Sequence, residues 1–490
     1  VTTHQEQEKT PETADDHGFL GQPWPLANLF GVEMWERFSF YGMQGILTIY
    51  LYYSATRGGL GMSEATATGI VGAYGGAVYL ATILGAWVAD RLIGPERTLF
   101  VSAAVVMLGH IGLALVPGFG GVVVGLSLIA LGSGGVKANA TSMVGSLYAA
   151  DDERRDAGFS LFYMGINTGA LVGPLLTGLL QDSQGFHWGF GLAAVGMFAG
   201  LVQYTLGRSR FPSVTREVPH PLTARERPAY VGAAVAFVVV VAVLVLTGLL
   251  DVDNVADWVI GVTVVAALGY FTLILTSSGV TGTEKSRVVS FIPLFVTNVV
   301  FWSLFQQQST VVSIYSDQRL DRDLFGWTMP VSWVQSINPV FIIVLAGVFA
   351  AVWTKLGPRQ PSTPVKFGLG TIVMGIAFLM FLLAPEGDNT VSLWLLSAIL
   401  LVFTFAELLI SPVGLSLSTK LAPARFHTQM VALYFLSVAL GTAIAGRLAG
   451  SYDADDETGY FLVIGAVAIA VGVVLLAVTR PIKKLMAGVH

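Results

Sequence analysis

The chain contains no cysteine. Disulfide frameworks, thiol nucleophiles and cysteine–metal clusters are therefore excluded. Charge is scarce too. Only 12% of the 490 residues are Asp, Glu, Lys or Arg, against about 25% in an average soluble chain. No basic tract points to nucleic acid, and the net charge of −5 is too small to define a partner. What fills the chain is apolar: 54% hydrophobic residues and a mean hydropathy of +0.70. A water-soluble surface cannot be built from that composition. The start of the chain is the exception, being polar and acidic (Glu6, Glu8, Glu12, Asp15, Asp16). It lacks the basic start and short apolar run of a signal peptide, so residues 1–25 are expected to be a disordered cytoplasmic tail.

A helix needs about 20 mostly apolar residues to cross the hydrocarbon core. Fourteen such stretches are expected, near 26–53, 64–90, 97–116, 120–142, 155–180, 187–207, 229–250, 256–277, 288–316, 326–354, 364–384, 392–420, 426–450 and 458–480. Irregular backbone is not tolerated against lipid, and membrane strands would show short alternating segments instead. Of the 26 basic residues, 20 fall in alternate connections and the tails, among them Arg91, Arg97, Arg208, Arg210, Arg216, Lys420 and Lys483. The connections on the other side hold Arg57, Arg319 and Arg322, with acidic groups such as Asp251, Asp253, Asp257 and Asp453–Glu457. The positive-inside rule then predicts both termini in the cytoplasm of a multi-pass protein of the inner (plasma) membrane.

The longest polar interruption, 208–228, follows the sixth span. Fourteen spans then divide as six, two and six. The reading is an all-α integral membrane protein with the major facilitator superfamily fold, two six-helix bundles plus two inserted helices. Its parts are a tail (1–25), an N-terminal bundle (26–208), a linker with the two extra helices (209–287) and a C-terminal bundle (288–490). Gly85-Ala-Trp-Val-Ala-Asp90-Arg91 resembles the facilitator motif between the second and third helices.

A charge at the bilayer centre costs at least about 2.5–3.5 kcal/mol on insertion scales, so it faces a cavity or a partner. The first span carries Glu33, Glu36 and Arg37, with Tyr41 and Gln44 on the same stripe as Glu33 and Arg37. Glu407 is central in the span 392–420, and Lys137 lies toward one end of the span 120–142. Lys137 has two readings, snorkelling or a functional cation. A Lys137–Glu407 pair across the two halves is expected to close one gate. Arg447 reads as a snorkelling residue. His110 reads as packing or interhelical hydrogen bonding, and Trp302 with Gln306–Gln308 as packing or a cavity wall. Asn167 and Asn338 are either interhelical hydrogen bonds or site residues.

Four segments carry a family resemblance: Glu33-Met-Trp-Glu36-Arg37-Phe38, Gly134-Gly-Val-Lys137-Ala-Asn139, Phe162-Tyr163-Met-Gly-Ile-Asn167-Thr-Gly169 and Phe405-Ala-Glu407 with Ser411-Pro412-Val-Gly414. Over essentially the whole chain, the sequence resembles bacterial members of the proton-dependent oligopeptide transporter family. The resemblance implies proton coupling by Glu33, Glu36, Arg37 and Glu407, and gating by Lys137 and Glu407. It implies a peptide site of Arg37, Tyr41, Gln44, Tyr79, Lys137, Asn167, Trp302, Gln306, Asn338, Glu407 and Ser411. Gln44 and Gln306 stand where many members have Arg and Glu, and Tyr434 where Trp is common, which alters charge and shape in the pocket. No histidine lies in the second span, so proton coupling is expected to rest on carboxylates.

The expected function is proton-coupled import of di- and tripeptides by alternating access. It needs no metal and no cofactor beyond the proton gradient, and the expected partners are peptide, protons and lipid, with a monomeric chain. No metal-ligand cluster or nucleophile–base spacing supports an enzyme. Two rivals stand: a same-fold transporter of nitrate or another small solute, and a peptide sensor that binds without transport.

Overall fold

The computed structural model describes residues 16–149, 152–454 and 456–489, apart from the side chain of Pro358. The helices are α1 (Trp24–Tyr52), α2 (Glu64–Val88), α3 (Pro95–Leu115), α4 (Gly118–Gly145), α5 (Arg155–Gln184), α6 (Phe186–Gly207), α7 (Arg227–Leu246) and α8 (Val255–Thr276). Then come α9 (Gly282–Phe305), α10 (Val311–Gln318), α11 (Ile337–Leu356), α12 (Thr363–Met380), α13 (Leu393–Lys420), α14 (His427–Ala449), α15 (Glu457–Ala477) and α16 (Thr479–Leu485). Among the described residues, 13 helical segments are long and apolar enough to cross a membrane. α1 has 29 residues but carries three charges, and with it the spans number fourteen. The fold is of the major facilitator type.

Local sequence sets the helix ends. Proline at the first turn starts α1, α3, α7 and α12, where its missing N–H costs nothing. Ser63 caps α2 by accepting from Thr66 N at 3.1 Å. Thr281 and Glu284 form a reciprocal capping box on α9. Gly94 joins α2 to α3 at φ +83°, and a Cβ there would lie 2.8 Å from the Arg216 carbonyl oxygen.

Two departures from expectation concern irregular backbone. The stretch 288–316 is not one helix. α9 ends at Phe305, a 3₁₀ turn covers Gln306–Ser309, and α10 follows Thr310 at φ −121°, ψ −93°. Likewise 326–354 begins not as α-helix but as a short hairpin (Asp323–Leu324 with Trp327–Thr328) and a 3₁₀ segment, Val331–Ser336, before α11. The 3₁₀ turn Gln306–Ser309 and the 3₁₀ segment Val331–Ser336 are packed inside protein, which is where a membrane tolerates irregular backbone, whereas the hairpin is exposed. Of the tail, residues 1–15 lie outside the described residues. Asp16–Pro23 fold as a turn, with the Asp16 carboxylate accepting from Trp24 N at 2.7 Å and its carbonyl from Arg154 at 3.0 Å.

The buried apolar side chains fall into two clusters. One is drawn from α1–α6 with Val331, the other mainly from α8–α15. In lipid there is little hydrophobic drive between helices, so close packing of small residues holds them. Gly85 meets Gly135, and Gly72 meets Gly446, where added Cβ atoms would sit about 2.5 Å from backbone. Of the inserted pair, α8 packs on both α2 and α14, whereas α7 has no buried residue.

The interruption 208–228 is folded onto the α2–α3 connection. Arg208 pairs with buried Glu96, and Arg91 with Glu226 at 2.9 Å. His220 N and Leu222 N donate to the carbonyls of Asp90 and Arg91 at 2.9 and 3.1 Å. Hydrogen bonds from the Thr223 backbone and hydroxyl, with Arg91 beside them, hold the Glu226 carboxyl below its usual range.

At the end of the molecule away from Trp24, here termed distal, the two helix sets are bonded together. Tyr52 donates to Asp317 Oδ2, and Tyr53 to Oδ1 at 2.6 Å. Thr48 donates to the Ser309 carbonyl, Gln318 to Glu64 at 2.8 Å, and Ser332, Trp333 and Ser336 to α5 carbonyls at 2.8–3.0 Å. Hydrogen bonds to a charged group are worth about 1.5–3 kcal/mol. Replacing both Tyr52 and Tyr53 by Phe should therefore shift the population toward a distal-open state by tenfold or more. With no native cysteine in the background, maleimide labelling of Thr48→Cys checks this. Faster labelling in the Tyr52→Phe/Tyr53→Phe protein is the expected result.

Candidate functional site

A cavity of about 350 Å³ lies between the two helix sets, within the range of small-molecule sites. Every expected substrate-site residue lines it. α1 supplies Arg37, Tyr41 and Gln44, α2 Tyr79, α4 Lys137 and α5 Asn167. From the other side come Trp302 at the end of α9, Gln306 in the 3₁₀ turn, Asn338 on α11, and Glu407 with Ser411 on α13. Glu33 also faces the cavity, whereas Glu36 does not. Helical spacing explains this. Glu33, Arg37 and Tyr41 recur every four residues, as do Lys137 and Thr141, and Glu407, Ser411 and Leu415.

Charge is organised in two ways. The α1 acids and Arg37 form a buried triad. Arg37 Nε donates to Glu33 Oε1 at 2.9 Å and lies 3.0 Å from Glu36 Oε2. The second contact is close enough for an ion pair but not aligned for a hydrogen bond, so Glu36 Oε2 has no donor, like Glu33 Oε2. Buried charges persist only when paired, and here one guanidinium serves two carboxyl groups.

Lys137 and Glu407, by contrast, form no ion pair among the described residues. The expected gate pair is not made in this conformer. Lys137 Nζ stands 4.2 Å over the Tyr79 ring, a cation–π contact. It is held inside the cavity wall rather than snorkelling out. Glu407 Oε2 accepts from Asn338 Nδ2 at 3.3 Å, and that amide also donates to Thr404 at 3.0 Å. Asn338 is thus both an interhelical bond and a cavity residue. Asn167 bonds its own helix, donating to the Tyr163 carbonyl at 2.9 Å. Among the described residues the buried Trp302 indole N–H has no acceptor.

Other readings change. His110 is fully buried with neither ring nitrogen bonded among the described residues, so packing describes it and interhelical hydrogen bonding does not. Arg447 reaches Asp257 on α8 at 3.2 Å, with both side chains more than half exposed. Such a surface pair contributes little. Beyond the expected site set, Tyr163, Ser309 and Gln335 also line the cavity, as do Gln308, read from sequence as packing or a cavity wall, and Tyr434, read as shaping the pocket. Tyr163 belonged to the quoted Phe-Tyr-x-x-Ile-Asn segment, and Gln308 to the glutamine run. Gln335 had no signal, because its segment read as helix. Among the described residues no group of three or more His, Asp or Glu is placed to hold a metal.

A central polar cavity between two helix sets, bonded together at one end, defines a membrane transporter rather than an enzyme. A family model described as "POT family" matches residues 96–463. The chain is 41% identical over 491 residues to the uncharacterized transporter YclF of Bacillus subtilis, covering 99% of both chains. It is 41% identical over 490 residues to a di-/tripeptide transporter of Lactococcus lactis subsp. cremoris, covering 96% of this chain and 98% of that one. Among solved structures, peptide transporter POT in complex with sulfate superposes with a TM-score of 0.92 at 42% identity, covering 96% of this chain and 97% of that one. The chain belongs to the POT family.

The Asn338 amide fixes the direction of the Glu407 carboxylate. Asn338→Leu removes the donor and should weaken binding of any cationic ligand group at Glu407 by about tenfold, the worth of a charge-assisted hydrogen bond. Titration of ligand binding in Asn338→Leu against Asn338→Gln checks this, with a smaller loss expected for glutamine.

Proposed function

We propose that the protein is a proton-coupled importer of di- and tripeptides that works by alternating access. The observation that carries this is the separation of Lys137 from Glu407 on opposite walls of one cavity, neither of them ion-paired among the described residues. A zwitterionic peptide presents a carboxylate and an ammonium some distance apart. Lys137, with Arg37 near it, suits the first, and Glu407 with Asn338 suits the second. Asn167 offers hydrogen bonds to a peptide group, while Tyr41, Tyr79, Trp302 and Tyr434 give loosely selective apolar walls. Charge recognition at the termini with adaptable walls between gives broad side-chain tolerance.

Each end of the peptide would engage one half, taken as 26–208 and 288–490, with 209–287 carrying the two added helices. The two apolar clusters support that division. A ligand that bridges the halves stabilises the closed state over states in which the halves are apart. Protons bind on Glu33, Glu36 or Glu407, driven by the gradient alone. When the proton leaves on the inner side, Glu407 and Lys137 pair, close that gate and displace the peptide. The basic connections support cytoplasmic termini, and in this reading the chain acts as a monomer in the plasma membrane. In that orientation the distal seal is the outer gate, closed in this conformer.

Two expectations follow. In vesicles, Glu36→Gln should reduce accumulation of labelled dialanine to the equilibrium level while counterflow stays within about twofold of the parent. Equal loss of both would remove Glu36 from the proton path. Lys137→Glu and Glu407→Lys should each abolish uptake, and the double exchange should restore part of it. An inactive but folded double exchange contradicts the gate pair.

A further inference from the structure

Glu36 differs from the other acids of the site. Its side chain is 0% exposed, and its oxygens meet different surroundings. Oε1 accepts a 2.6 Å hydrogen bond from the Ser133 hydroxyl on α4, while Oε2 lies beside Arg37 without an aligned donor. Ser133 is itself fully buried. A serine in a helix ordinarily bonds back to its own preceding turn. Ser133 instead sends its hydroxyl proton across to α1. Four residues on, and so on the same face of α4, stands Lys137, which lines the cavity.

The charged and titratable groups around Glu36 come from three helices. They are Glu33, Arg37 and Tyr41 on α1, Tyr74 and Tyr79 on α2, and Lys137 on α4. α5 reaches this part of α1 through Gly169 against the Arg37 Cβ, and α6 through Gly196 and Gly200 against Phe38 and Trp35. Among the described residues the buried Tyr74 hydroxyl has no partner. Ser133 is thus the group that hydrogen-bonds Glu36 from a helix other than its own.

We propose that Ser133 is a positioning residue for Glu36, and that its hydrogen bond links the charge state of that acid to the position of α4 and hence of Lys137. The proposal rests on the reading of Glu36 as a proton-coupling residue. A donated hydrogen bond favours the carboxylate over the neutral acid. With α4 close, as here, the bond to Glu36 Oε1 is made. Any shift of α4 that carries Lys137 toward a partner on α13 stretches the bond and favours proton uptake from cavity water. Proton binding and gate position then become two ends of one rigid helix face.

The test uses the full chain in lipid vesicles and infrared difference titration of the protonated-carboxyl band, with dialanine uptake measured in parallel. Glu36→Gln identifies the band by removing it. Ser133→Ala should move its midpoint about one pH unit upward, a tenfold change in the protonation equilibrium. Ser133→Cys, close in volume but a weak donor, should give a smaller upward shift and carries the test if the alanine protein is unstable. Adding Ser133→Ala to Glu36→Gln should change counterflow no further, because a purely structural role would show in that background too. An unmoved midpoint in both serine variants overturns the proposal. The absence of any band that Glu36→Gln removes overturns both it and the proton role of Glu36. A moved midpoint in a protein that takes up no peptide keeps Ser133 in its role and overturns the peptide reading instead.

Discussion

The burial of three charges in one stretch of α1 is the constraint from which the remaining architecture follows. Glu33, Glu36 and Arg37 are each at most 3% exposed in a helix that must cross lipid. Lipid cannot solvate them, so α1 has to be walled by other helices. α5 and α6 close one side through glycines at 169, 196 and 200, which let the backbones approach. α2 and α4 close the other with Tyr74 and Ser133. Arg37 holds two carboxylates at once, and that shared ion pair makes the arrangement tolerable in a low dielectric. A triad kept purely for stability would be a poor choice, since apolar residues of the same volume often do as well or better.

The cavity grows from the same helices. One face of α1 turns Arg37, Tyr41 and Gln44 into the space that the other helix set completes with Trp302, Asn338 and Glu407. The break at Gln306–Ser309 lies at the wall of that space, with its polar backbone partly bonded to Thr48. Beyond it the distal bonds close over the site. The seal is largely polar, made of hydroxyls, amides, the Trp333 indole and two carboxylates, Asp317 and Glu64. Contacts of this kind can be exchanged for water at modest cost, as a closure that must reopen requires.

Much of this was legible in the sequence because lipid imposes strong rules. Fourteen spans could be counted from apolar length, and the ionisable residues inside them stood out against that background. The eleven nominated substrate-site positions, carried over from the family resemblance, line one cavity, and all but Gln306, in the 3₁₀ turn, sit on regular helices. Legibility failed where the backbone stops being regular. Gln335 lies in a 3₁₀ segment, so helical periodicity assigned it no face, and the glutamine run that turns between α9 and α10 stayed open between packing and a cavity wall. Ser133 carried no signal, since its role comes from a crossing partner on α1 rather than from its neighbours. The state of the Lys137–Glu407 pair was equally invisible, because it belongs to a conformer and not to a spacing.

The central claim is that a proton gradient drives peptides through this cavity. Its most direct test is the uptake of labelled dialanine into vesicles of the purified protein, with an acidic exterior and an inside-negative potential. Accumulation above equilibrium that collapses on adding a protonophore is the predicted result. Correctly inserted protein that leaves dialanine outside while nitrate or another small solute crosses would contradict it.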